Sequence, residues 1–139
     1  LLTHHVRRDT LREEVTSMRT RMRRELDRSG TDGFDLKQGR GGIADIEFLA
    51  QYWALREAGR HPAVAMYADT IRQLETLASG DLVPQATVDR LTDAYRLYRA
   101  RGHQRALRGE GAVIDGSEYR EARAAVAAIW DEALGSPEV

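Results

Sequence analysis

The chain has 139 residues, 31% charged and 42% hydrophobic, with 21 Lys+Arg against 22 Asp+Glu. That length supports one core and is too short for two sizeable ones, and the composition excludes a disordered tail. No apolar run approaches the roughly 18 residues of a membrane span, the net charge of −1 gives no overall pull toward nucleic acid, and the lack of cysteine excludes disulfides and thiolate metal sites.

In chain order, the first helix is predicted from Asp9, its N-cap, to about Arg28. Leu11, Val15, Met18, Met22 and Leu26 recur at three- and four-residue steps and form one apolar face. The basic run Arg19, Arg21, Arg23, Arg24 and Arg28 points away from that stripe. It reads first as a solvated face and second as a strip facing an acidic neighbour. A nucleic-acid strip is disfavoured because interleaved aromatics are missing. Residues 1–30 hold eight Arg against five acids, and the rest is net acidic.

Five of the twelve glycines fall between positions 30 and 42. Phe34 and Leu36 alternate with Asp35 and Lys37 as a short extended segment, and a glycine-rich hairpin or loop spans 33–43. A second helix starts at Ile43 or Ala44, buries Ile46, Leu49 and Trp53 with Ala50 and Leu55 at the margin of that side, and ends near Ala58-Gly59. The third follows His61-Pro62 and carries Val64, Tyr67, Ile71, Leu74 and Leu77 up to Ser79-Gly80. The fourth runs from Pro84–Thr87 to Leu107 with Gly102 inside it, and Arg108 to Gly116 is a loop. The last starts at Asp115, which forms a capping box with Glu118, and stops at Gly135-Ser136-Pro137. Five amphipathic helices with short connections predict an all-α antiparallel bundle in a single domain, 1–139.

The segment Lys37-Gln-Gly39-Arg40-Gly41-Gly42-Ile-Ala-Asp45-Ile-Glu47-Phe48 carries the chemical signal. Lys37 is the chain's only lysine, and it stands with Arg40 and three glycines just before a helix N-terminus. Bare amides, the helix dipole and two cations suit an anion, phosphate first. Equally, the glycines fit a tight turn, with Asp45 and Glu47 complementing the dipole; the residues alone leave both readings open. Asp45 and Glu47, two apart, point to different sides of a helix and do not share a metal. His4 and His5 diverge for the same reason, His61 reads as a helix-entry residue and His103 as an ordinary helix residue. No Gly-x-Ser-x-Gly elbow or helical metal motif occurs, so no metal ligand is assigned.

Phe34-Asp-Leu-Lys-Gln-Gly-Arg-Gly-Gly-Ile-Ala-Asp-Ile-Glu-Phe-Leu-Ala-Gln51 resembles the glutamine synthetase adenylyltransferase family, whose motif is close to Lys-x-Gly-x-Gly-Gly-Ile-x-Asp/Glu-Ile-Glu-Phe-x-x-Gln. Met18-Arg-Thr-Arg-Met22-Arg resembles the family's preceding helix. PII uridylyltransferase carries a related segment without the Ile-Glu-Phe continuation. The Asp35 form, and an end about ninety residues past the motif, resemble the C-terminal half, which transfers AMP from ATP to a tyrosine of glutamine synthetase; the other half removes AMP by phosphorolysis. The resemblance implies ATP and Mg2+ as cofactors of the full enzyme, and glutamine synthetase, a PII signal protein and the enzyme's own nucleotidyltransferase domain as partners. It also implies a cytoplasmic setting. The transferase core's Gly-Ser and Asp-x-Asp pattern is missing here. The resemblance therefore implies a C-terminal helical domain, inactive alone, with no catalytic residue of its own. Lys37, Gly39, Arg40, Gly41 and Gly42 would bind nucleotide or lock the domains together, with Asp45 and Glu47 in support. A stand-alone protein-binding module and a PII-uridylyltransferase-like helical domain are the alternatives.

Overall fold

The structure is a computed structural model that describes residues 2–57 and 69–135, with side chains from Thr10 onward. Among these, the elements are α1 (Leu2–Leu26), β1 (Gly33–Asp35), α2 (Ile43–Glu57), α3 (Thr70–Ser79), α4 (Gln85–Leu107), β2 (Val113–Asp115) and α5 (Arg120–Leu134). This is the expected all-α bundle plus one small ribbon. The central element is α2, which packs on α1, α3, α4 and α5. Its sequence explains this position. Ile43, Ala44, Ile46, Leu49, Ala50, Tyr52, Trp53 and Ala54 are all buried, an apolar face too wide for one neighbour to cover. Leu74 and Leu77 of α3, Val88, Leu91 and Tyr98 of α4, and Val126, Ile129 and Trp130 of α5 complete the core. Tyr52, Trp53, Tyr98 and Trp130 are core residues, with Tyr95 and Tyr119 partly buried against them, whereas Leu55, expected on the buried side of α2, is exposed.

Several boundaries differ from expectation. Helix α1 begins by Leu2, so Asp9 is internal and not a cap; nothing in residues 2–9 breaks a helix. Helix α3 begins at Thr70, where the Asp69 carboxylate accepts from the Arg72 amide at 3.1 Å. An extended N-cap residue cannot sit inside a helix running on from Pro62. His61, Pro62, Val64 and Tyr67, and the predicted stops at Ala58-Gly59 and Ser136-Pro137, lie outside the described residues.

The largest departure concerns the two loops. Phe34 pairs with Ile114, Gly33 with Asp115 and Asp35 with Val113, in an antiparallel ribbon. The 33–43 segment is therefore no local hairpin. Its strand finds a partner some eighty residues away, inside the stretch read as the 108–116 loop. Asp115 ends β2 and does not cap α5; its carboxylate accepts from the Ser117 hydroxyl and from the Ser117 amide, the latter at 2.8 Å, and these two bonds, the hydroxyl first, hold it below the usual carboxylate range. Tyr119, at φ +57°, leads into α5 without a side-chain cap. The expected Asp115–Glu118 capping box does not form, because strand pairing fixes Asp115 a turn too early.

Candidate functional site

The ribbon and α2 leave residues 36–42 to turn through a tight volume. The turn is bonded from within. Gly39 N–H donates to Asp35 O (2.8 Å), Gly42 N–H to Gly39 O (2.9 Å), Ile43 N–H to Leu36 O (2.9 Å) and Ala44 N–H to Lys37 O (2.8 Å). The Asp35 carboxylate, buried, accepts from the amides of Lys37 (3.0 Å), Gln38 (2.9 Å) and Arg28 (3.1 Å). Gly41 N–H donates to Asp45 Oδ2 at 2.7 Å. The amides of Lys37, Gln38, Gly39, Gly41, Gly42, Ile43 and Ala44 thus already have protein acceptors, whereas that of Arg40 has none among the described residues.

Close approach explains the glycines. A Cβ on Gly41, at φ +81°, would lie 2.5 Å from the Arg123 carbonyl oxygen, and one on Gly42 would lie 2.7 Å from that of Leu36. The first contact sets α5 against the loop, and the second closes the loop on its own first residue, Leu36. Arg123 clamps the same region. Its guanidinium donates to Gly116 O at 2.6 Å and lies 4.1 Å from the Phe34 ring centroid.

Beneath the loop lies the network that sequence reading missed. Arg19 is wholly buried, although a basic run on a helix favours a solvated face. Its Nε donates to Asp45 Oδ1 (2.6 Å), Nη1 to Gln38 Oε1 (3.0 Å) and Nη2 to Gln38 O (2.7 Å). Arg23 adds a second guanidinium on Asp45 Oδ1, at 2.9 Å. Asp45 is also fully buried, and its two oxygens take the Arg19, Arg23 and Gly41 donors. A buried guanidinium is tolerable only when its donors are matched in this way. The run therefore splits: Arg19 and Arg23 turn inward, while Arg21, Arg24 and Arg28 are exposed. The helix docks on a face turned toward Arg19, leaving Met18 and Leu26 of the predicted stripe exposed. The available signal was Arg19 and Arg23 at i, i+4, with Asp45 in the only other segment of note.

The predicted site residues have different fates. Gly39, Gly41 and Gly42 are buried and shape the turn. Lys37 is exposed, and its ammonium has no polar partner among the described residues. Arg40 is bridged to Asp131 of α5, Nη2 to Oδ2 at 2.8 Å. Asp45 lies in the internal network, whereas Glu47, on another side of α2, accepts from the Tyr95 hydroxyl at 3.3 Å. No cluster of three His, Cys, Asp or Glu able to hold a metal occurs among the described residues. No helix among them is long and apolar enough to cross a membrane.

The fold and loop define a helical-bundle domain that displays one lysine on an internally braced glycine turn. A family model described as GlnD PII-uridylyltransferase matches residues 9–111, about three quarters of the chain, and the chain belongs to that family. The loop's likeness to glutamine synthetase adenylyltransferases extends over most of the sequence. The bifunctional glutamine synthetase adenylyltransferase/adenylyl-removing enzyme of Nitrosococcus oceani is 46% identical over 124 residues, 89% of this chain and 13% of that protein. Its namesake in Hahella chejuensis is 44% identical over 137 residues, 95% of this chain and 14% of that protein. The one in Pseudomonas aeruginosa is 40% identical over 136 residues, 89% and 14%. The chain thus spans about one seventh of the length of these curated relatives.

Proposed function

We propose that this chain is the helical domain of a cytoplasmic nucleotidyl-transferring enzyme that moves AMP from ATP to a tyrosine of glutamine synthetase. The domain would be a C-terminal one whose catalytic core lies outside these 139 residues. What supports this is the likeness over most of the chain to adenylyltransferases of which it spans one seventh, together with the form of the 37–42 loop. The observation that carries the site is Lys37. All the loop's amides but that of Arg40 are engaged internally, and the Arg40 side chain is bridged to Asp131. That leaves one ammonium displayed on a turn that cannot easily flex, which suits a triphosphate oxygen or an acidic group on an adjoining catalytic domain.

In this reading Lys37 makes the contact, Gly39, Gly41 and Gly42 set its position, and Arg40 braces the loop against α5. Asp45 supports the loop from inside, and Glu47 stabilises the α2–α4 contact through Tyr95. Magnesium has no suitable cluster among the described residues, so the adjoining core would hold it; ATP fits as a ligand shared with that core. Glutamine synthetase and a PII protein are the proposed partners of the whole enzyme.

The test has two parts. The isolated chain, given ATP, Mg2+ and glutamine synthetase, should transfer nothing; turnover would overturn the domain assignment. In the intact enzyme Lys37→Ala should raise the KM for ATP or lower kcat, and unchanged values of both would remove Lys37 from the nucleotide site.

A further inference from the structure

The second half of α4 has a surface that the proposed function does not use. Between Ala94 and Gly109 there are five arginines and no acid, in a chain whose other 123 residues carry sixteen cations against twenty-two acids. The inner face of this half is buried through Ala94 and Tyr98. On the outer face Arg96, Arg99, His103 and Leu107 recur at steps of three, four and four, one line along the helix, and all are exposed. Leu107 is 79% exposed, and Leu97 beside the line is 40% exposed.

Intramolecular partners neutralise only some of the charge. Arg101 reaches Glu118 at 3.4 Å, and Arg105 reaches Glu110 at 3.9 Å and Gly111 O at 2.6 Å. Arg99 lies 5.7 Å from the Tyr95 ring centroid, which leaves its charge uncompensated. Arg96, Arg99 and Arg108 have no carboxylate partner among the described residues. The basic run of α1 differs: Glu25 and Asp27 interrupt it, and Arg19 and Arg23 serve the interior.

We propose that the outer face of α4, from Arg96 to Arg108, is a docking surface for an acidic amphipathic segment of a partner protein. The arginines would pair with carboxylates, while Leu107 and Leu97 would be covered by apolar side chains. Charge complementarity selects the acidic partner. The exposed leucines select a protein over a nucleic acid, as the one aromatic at hand, Tyr95, is overlaid by Arg99 and bonded to Glu47. The acidic remainder of the chain also repels a polyanion that extends past the stripe.

The test is fluorescence anisotropy of the 139-residue chain with a labelled peptide of glutamates and leucines at helical spacing, over a salt series. Single-stranded RNA is the competing probe. R96E/R99E should weaken peptide binding at least about tenfold at low salt. R21E/R24E, the same charge change on exposed positions of α1, should leave it within about twofold, and Leu107→Ser should weaken it severalfold. The four substituted arginines are exposed, so circular dichroism should show all variants folded. Equal weakening by the two charge reversals would reduce the effect to net charge and overturn the proposal. So would no measurable peptide binding, or tighter RNA binding that Leu107→Ser leaves unchanged.

Discussion

Replacing Asp45 by alanine should be the most damaging single change in the loop region. The carboxylate accepts from Arg19 Nε at 2.6 Å, Arg23 Nη2 at 2.9 Å and Gly41 N–H at 2.7 Å. Alanine leaves the Arg19 guanidinium buried without its counter-charge and the Gly41 amide without an acceptor. Removing one partner of a buried ion pair costs about 3–5 kcal/mol, and an unmatched buried amide adds about 1–3 kcal/mol. Arg23, partly exposed, turns to water and contributes little. Against a total of about 5–15 kcal/mol, a loss of at least about 3 kcal/mol lowers the melting temperature by roughly 10 °C or more for a domain of this size. The assay is urea unfolding followed by circular dichroism, with Arg19→Met, Asp45→Ala and the double variant forming a cycle. The double variant should lose less than the two single losses combined, since Met fills the arginine's volume without a charge to satisfy. A loss below about 1 kcal/mol in Asp45→Ala, or additive losses, would refute the network as the support of the loop.

Other outcomes follow from the same geometry. Gly41→Ala should cost more than Gly30→Ala in thermal melts: both glycines have positive φ, but only the Gly41 Cβ meets a backbone oxygen, at 2.5 Å, whereas Gly30 has open space. Lys37→Ala should change the chain's own stability by less than about 0.5 kcal/mol, as an exposed side chain without a partner, so any effect in the intact enzyme reports function. Tyr98→Phe should be near neutral or stabilising by about 1 kcal/mol in urea, because the buried hydroxyl has no partner among the described residues. Burial pushes the Tyr98 phenol well above its ordinary value. The unfolded chain therefore gives up this proton first, and the Tyr98 contribution to stability should be constant below about pH 10 and fall above it; in Tyr98→Phe the alkaline fall should be shallower in urea midpoints measured across pH.

Periodicity and glycine placement were enough to predict the bundle, the extended strand before the glycine turn and the start of α2. These are local properties. A helix shows its buried face every three or four residues, and α2 shows an apolar face broad enough to be central. The Lys37–Gly42 turn was legible as an anomaly for the same reason. Its purpose was not, because amides that look bare in a sequence had acceptors in Asp35, Leu36, Lys37 and Asp45, some supplied only by the fold.

What tertiary structure decided lies wherever a partner is distant in the chain. Gly33–Asp35 pairs with Val113–Asp115, and no local pattern in either trio names the other. That pairing holds Asp115 away from its expected cap. Arg19 was one cation in a basic run until α1 docked and placed Asp45 and Gln38 around it. A side chain's hydropathy predicts whether water suits it better than oil, but burial of a charge depends on whether the rest of the fold supplies matching groups. The sequence by itself therefore determined the helices and marked the loop. The fold decided which arginine left water, and which cation the loop displays: Lys37.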